Sequence, residues 1–352
     1  MIGIGCSIVL KGTLILTLSV TSLNAETCIT PNNERAQCIS LYNCLPLLKA
    51  LQTQDDNIIE FVLKSHCGKW KGDPLVCCGS ESNYRDFTDE LHPVSCGYQH
   101  SDDYYSEANL QSSIDDFPWL SILYNPASKR ARCNGAIINS LYILTTAYCA
   151  SLNPTSARLG EYNIKNETDC VVDYEFLTCA DKVVDIDLED IILHPDYNEE
   201  FNNNNIAIIR VANKIDFTDY IRPICMPAKD KITPQIGDLM LASGFGLAKF
   251  KGPYVDVKKK VFTILVPNQD CVDVYGAEGS LFENLLCVKE LNYNIVHLCD
   301  GDFGAPLGVF RKKRWVLEGL FHWSLDTCNS KDPKVFTKVD KYIGWIETVM
   351  MA

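Results

Sequence analysis

The chain has 352 residues, 47% of them hydrophobic, and a formal net charge of −13 at pH 7. That length allows more than one domain, and the acidity argues against nucleic acid or anionic membrane as a partner, because both need a basic face. Seventeen cysteines are the other unusual feature, and they decide how much of the chain is read.

The first 25 residues, MIGIGCSIVLKGTLILTLSVTSLNA, are apolar, short and end in small residues, the pattern of a cleaved signal peptide. Lys11 interrupts the apolar run, and no later stretch approaches the roughly 18 apolar residues of a spanning helix, so no transmembrane anchor is expected. Cys6 lies in that segment, which leaves 16 cysteines for the mature chain. A large even number in an exported chain reads as a disulfide framework. The sequence has no CxxC pair and no HxxxH, so zinc is not expected, and neither is any other metal or cofactor.

Residues 26–78 form the first module, with six cysteines at Cys28, Cys38, Cys44, Cys67, Cys77 and Cys78. So small a unit needs covalent staples, each stabilising it by about 2–4 kcal/mol. Six cysteines allow fifteen connectivities. The vicinal Cys77 and Cys78 cannot easily bridge to each other and point to two separate partners. The order C-x9-C-x5-C, a long gap and C-x9-CC within PLVCCG resembles the clip domain that precedes many arthropod serine proteases. That resemblance implies the pairs Cys28–Cys77, Cys38–Cys67 and Cys44–Cys78. Residues 79–105 are polar and acidic, rich in turn formers, and read as a linker. Cys96 lies within it, and the resemblance implies a bond to Cys225.

From 106 to 352 the chain reads as short strands broken by Gly, Pro and Asn, among them WLSILY, AIINSLYILTT, IAIIRV, KKVFTILV and WVLEGLF. Val339, Tyr342, Ile343, Ile346, Val349 and Met350 recur at helical spacing and predict a closing helix. Strands followed by a terminal helix suggest an all-β barrel or sandwich. The motifs DDFPW, CNGAIINSLYILTTAYC, NNNNIAIIR, IRPICMP, ASGFG, LLCV, CDGDFGAPL and KVFTKVDKYIGWI, in that order, resemble a chymotrypsin-like serine protease domain. The resemblance implies two six-stranded β-barrels with a C-terminal helix. It also implies the pairs Cys133–Cys149, Cys271–Cys287 and Cys299–Cys328, with Cys170–Cys179 as a local bridge of clip proteases.

Chemistry in such a domain needs a hydroxyl nucleophile, an imidazole base and a buried carboxylate. The histidine of TAAHC is matched by Tyr148 in TTAYC, the aspartate of DIAL by Asn205 in NIAI, and the serine of GDSGGP by Phe303 in GDFGAP. A phenol is a poor base near neutral pH, an amide carries no charge, and a benzyl group is no nucleophile. The expectation is a pseudoenzyme in which Tyr148, Phe303 and the nearby His322 fill the former catalytic space.

The basic-residue pocket of trypsin-like relatives is replaced too. His297 stands six residues before Phe303, in place of the aspartate, and Lys334 in PKVF takes the place of the wall glycine in PGVY. A lysine in that slot is expected to fill it and to repel basic substrates. Backbone N–H groups of Gly301 and Phe303 remain candidates for an oxyanion hole, loosened by Ala305.

Activation in such relatives follows a cut after Lys or Arg, and the new terminus pairs with the aspartate before the serine. Here the corresponding stretch is Ser106–Asn109, SEAN, and no Lys or Arg occurs from Asp86 to Ser128. Asp302 therefore lacks that ammonium, and Ala131 offers no polar zymogen partner. A zymogen-like loop is expected, with Asp302 either solvated or paired with Arg132. Asn166-Glu167-Thr168 is an N-glycosylation sequon in an exported context.

The resemblance implies a secreted haemolymph protein, an adaptor or regulator in an immune protease cascade such as melanisation through prophenoloxidase, or a complement-like response. Its partners would be extracellular proteins: clip-domain proteases, prophenoloxidase or complement-like factors. The alternatives are a residual serine endopeptidase, or a protein that recognises microbial surfaces.

Overall fold

The computed structural model describes residues 27–51, 56–70, 73–80, 96–99, 111–126, 133–173, 176–200, 203–227, 233–249, 251–276, 283–291, 296–323, 328 and 331–351. The chain divides into two compact units, Met1–Glu81 and Ser82–Ala352. Among the described residues, no helix is long and apolar enough to cross a membrane.

In the first unit, strands β1 (Thr27–Ile29), β2 (Arg35–Ser40), β3 (His66–Trp70) and β4 (Asp73–Cys78) form one sheet in the order β1-β2-β4-β3. Helices α1 (Leu45–Leu51) and α2 (Asp56–Lys64) lie between β2 and β3 in the chain. Leu47, Phe61 and Val76 are buried at its centre. Disulfides join Cys28 to Cys77, Cys38 to Cys67 and Cys44 to Cys78. Successive side chains on a strand face opposite ways, so the adjacent Cys77 and Cys78 at the end of β4 reach two different partners.

The second unit carries two closed six-stranded barrels, the architecture that the motif order implied. The first runs β11-β12-β7-β6-β5-β8, built from β5 (Leu120–Tyr124), β6 (Cys133–Ile137), β7 (Tyr142–Thr145), β8 (Ser156–Leu159), β11 (Val184–Leu193) and β12 (Ala207–Val211). A separate hairpin, β9 (Cys170–Asp173) with β10 (Phe176–Cys179), precedes β11. The second barrel runs β13-β14-β15-β18-β17-β16, from β13 (Leu239–Ala242), β14 (Val261–Val266), β15 (Leu285–Glu290), β16 (Pro306–Arg311), β17 (Arg314–Trp323) and β18 (Lys334–Lys338). The segment AIINSLYILTT is two strands, β6 and β7, because Asn139 Oδ1 accepts from the backbone N–H groups of Leu141 and Tyr142 and turns the chain between them.

Strands β6 and β7 are buried at every position, with polar Asn134 and Thr145 hydrogen-bonded among their apolar neighbours. Gly135 has no alternative there, since a Cβ would stand 2.6 Å from Ile143 Cγ2. Phe117, Trp119 and Trp315 meet edge-on or tilted with ring centroids 6.1–6.4 Å apart in the larger core cluster. The closing helix starts as a 3-10 turn over Val339–Tyr342 and continues as a short α-helix over Ile343–Met350. Disulfides join Cys96 to Cys225, Cys133 to Cys149, Cys170 to Cys179, Cys271 to Cys287 and Cys299 to Cys328. All 16 cysteines after Cys6 are thereby paired.

Candidate functional site

The three positions read as replaced triad members come together. Helix α3 (Ala147–Ser151) follows β7, and the Thr146 hydroxyl caps it by accepting from the Cys149 N–H. Tyr148 sits in its first turn, its backbone N–H donating to Asn205 Oδ1 at 2.9 Å. Asn205 is 2% exposed and follows Asn204, whose φ of 51° is a left-handed turn that asparagine tolerates. Its amide thus holds the Tyr148 backbone where an aspartate would hold an imidazole.

The Tyr148 and Phe303 rings meet edge to face with centroids 5.1 Å apart. Phe303 stacks on Phe321 at 5.8 Å, and Phe321 leans on Phe336 at 5.3 Å. Tyr148 and Phe303 are half-buried, so a continuous aromatic column runs from the surface into the second barrel.

His322 is 4% exposed. Its Nδ1 lies 2.9 Å from Thr337 Oγ1 and 3.4 Å from Asn205 Nδ2. The Thr337 hydroxyl donates to the Asn205 carbonyl at 2.9 Å, so its single proton is used and the 2.9 Å contact needs the proton on His322 Nδ1. Burial pushes the imidazole down to about 3, so it is neutral. Among the described residues, the hydroxyl it touches is that of fully buried Thr337, out of a substrate's reach.

The Asp302 expectation is corrected. Asp302 is fully buried and therefore not solvated, while Arg132 and Ala131 lie outside the described residues. Its partner is Lys259, whose Nζ approaches Oδ2 at 2.5 Å with both side chains inaccessible. Gly246 N–H donates to Oδ1 at 2.7 Å and Cys299 N–H to Oδ2 at 2.9 Å. Burial pushes the carboxyl up, while Lys259 and these two amides oppose it; three donors on two oxygens favour the ion pair. Lys259 was missed in the sequence because it lies 43 residues from Asp302 in a run that reads as strand.

The slot expected to hold Lys334 is closed around it. Lys334 is fully buried, and burial lowers its ammonium while Glu290, Asp332 and Asp302 draw it back up. Glu290, also missed, lies 2.6 Å from His297 Nδ1 through Oε2 and accepts from the Leu298 N–H at 2.8 Å through Oε1. His297, read as standing in place of the pocket aspartate, is turned to the buried carboxylate of Glu290. A third missed residue, Asn134 on β6, donates from Nδ2 to the Gly301 carbonyl at 2.8 Å and from its backbone to the Phe303 carbonyl at 2.8 Å. Asn166 is exposed, and its side-chain amide donates to Asp169 Oδ1 at 3.0 Å. Ser106–Asn109 lies outside the described residues. Among the described residues, no group of three or more His, Cys, Asp or Glu is arranged to hold a metal ion.

Two barrels closed by a helix, with this site between their strands, define a serine protease fold. Residues 109–346 match the Trypsin family model and residues 28–78 match the model of the regulatory CLIP domain of proteinases, so the chain belongs to the clip-domain serine protease family. It is 34% identical over 355 residues to Phenoloxidase-activating factor 1 of Holotrichia diomphalia, spanning 94% of this chain and 95% of that protein. It is 30% identical over 378 residues to CLIP domain-containing serine protease B9 of Anopheles gambiae, spanning 92% of each. The crystal structure of the Drosophila Grass clip serine protease of the Toll pathway superposes with a TM-score of 0.63 at 26% identity, covering 93% of this chain and 97% of that one.

Proposed function

We propose that the protein is a secreted, non-catalytic member of its family that binds components of an extracellular immune cascade and regulates them. The observation that carries this reading is the edge-to-face contact of Tyr148 with Phe303, backed by Asn205, where proton transfer and attack would have to occur. Losing the serine or histidine of such a machine costs about a millionfold in rate in a related protease, and all three positions differ here. The buried Lys334 supports the same reading, because a slot that holds its own cation takes no basic side chain.

The cascade assignment is supported by relatives named Phenoloxidase-activating factor 1 and Phenoloxidase-activating factor 3, and by likeness to a protease of the Toll pathway. The apolar N-terminal segment, the disulfides and the exposed sequon residue Asn166 support export. Two modules give two linked contacts, so a partner that engages both gains avidity without any turnover.

The test is a phosphonylating serine probe applied to secreted protein, followed by its addition to a phenoloxidase activation assay. No labelling together with a dose-dependent change in activation is expected. Turnover of a peptide ester that the same probe abolishes would sink the proposal.

A further inference from the structure

Lys259 stands two residues before β14 and is 1% exposed. Besides Asp302, its Nζ donates to the carbonyl oxygens of Leu247 and His297, each at 2.8 Å. An ammonium has three N–H groups, so every one is used. The carboxylate accepts from three donors on its two oxygens: Lys259 and the amides of Gly246 and Cys299. One buried charge pair therefore ties three stretches of chain together: 246–247, Lys259 itself and 297–302.

The pocket is tight as well as satisfied. A Cβ on Gly244 would lie 2.3 Å from Asp302 Oδ1, and one on Gly246 would lie 2.5 Å from the carboxyl carbon. Around it, Leu247 N–H donates to Asp300 O at 2.8 Å and Ala305 N–H to Asp302 O at 2.8 Å, while Asn134 holds the carbonyls of Gly301 and Phe303.

From this geometry we infer that Lys259 is a built-in latch that sets the conformation of the 297–305 loop in the uncut chain and makes it insensitive to proteolytic cleavage. A backbone cut creates a new α-ammonium, the group best able to compete for Asp302. Here that carboxylate is already engaged by Lys259, a cation of the intact chain just before β14. Displacing Lys259 would leave its ammonium buried without a counter-charge, or force it out through a packed wall. The loop surface that includes half-buried Phe303 thus needs no processing step to form. This reasoning rests on the ion pair alone and holds whether the protein binds or cuts.

The experiment uses the full-length secreted protein with a recognition sequence for a sequence-specific protease inserted between Asn109 and Leu110. Amide hydrogen exchange of peptides covering 244–247 and 297–305 is followed before and after the cut. Rates unchanged within about twofold are expected, and a tenfold or greater gain of protection after the cut would overturn the latch. Lys259→Met is expected to speed exchange of these same amides at least tenfold, with Lys259→Met/Asp302→Asn recovering most of the loss. Lys259→Met exchanging like the parent would likewise end the proposal. If neither variant folds, the cut comparison decides alone, since it leaves both partners intact.

Discussion

Truncating Phe303 to alanine removes the second of the four rings of the aromatic column. A fully buried Phe→Ala change costs about 3–5 kcal/mol, and Phe303 is half-buried, so roughly 2 kcal/mol is expected. The edge-to-face contact with Tyr148 adds about 0.5–1.5 kcal/mol that burial does not count. Tyr148→Ala, Phe303→Ala and the double variant close a cycle that isolates this coupling, measured by urea unfolding without reductant. For a unit of this size, a loss of about 2 kcal/mol lowers Tm by about 4–8 °C. A coupling below about 0.3 kcal/mol, or a Phe303→Ala variant as stable as the parent, would refute the view that these residues have become packing. Stability, not activity, is the quantity they should control.

Restoring the chemistry tests the same site from the other side. Tyr148→His/Asn205→Asp/Phe303→Ser should react with a small phosphonylating probe yet fail to cleave peptides after Lys or Arg, because Lys334 still fills the slot; rapid tryptic cleavage would contradict that. Glu318 is held at about 7 by burial, above the ordinary 4.5, so its stabilising share is full below pH 4.5 and is lost as pH rises through 7. The stability difference between the parent and Glu318→Gln should therefore fall by about 3 kcal/mol from pH 4.5 to about pH 8, and a flat difference would refute the assignment. His322 runs the opposite way: lowered from 6.5 to about 3, it favours the fold above pH 6.5 and that share fades as pH drops toward 3. His322→Gln should lose acid sensitivity worth up to about 5 kcal/mol over that window, read from denaturant midpoints.

The architecture was legible because strand runs, turn residues and the closing helical period are local signals, and because motif order carries fold. The three positions read as triad replacements were found for the same reason: Tyr148, Asn205 and Phe303 each sit inside a short motif. What escaped were partners brought together only by closure of the barrels. Lys259 reads as one of three consecutive lysines, and nothing local distinguishes the one that reaches Asp302. Gly244 and Gly246, which leave room for the Asp302 carboxylate, were the available hint. Glu290 and Asn134 escaped likewise, since each acts on backbone or side chains from a distant stretch. Arg132 was suggested as a neighbour of Ala131, the position of the usual zymogen partner, and lies outside the described residues.

The bond between Cys96 and Cys225 divides the possible nicks into two kinds. A protease that severs the backbone anywhere between Gly97 and Ile224 separates no fragment, since sulfur still bridges the break and the N-terminal module travels with the barrels. A break at Arg85, the one lysine or arginine between Gly79 and Ser95, lies upstream of that bridge and leaves the module with no covalent link to the barrels. The same class of enzyme can thus leave a bivalent molecule or create a monovalent one, depending only on which side of a single cysteine it strikes.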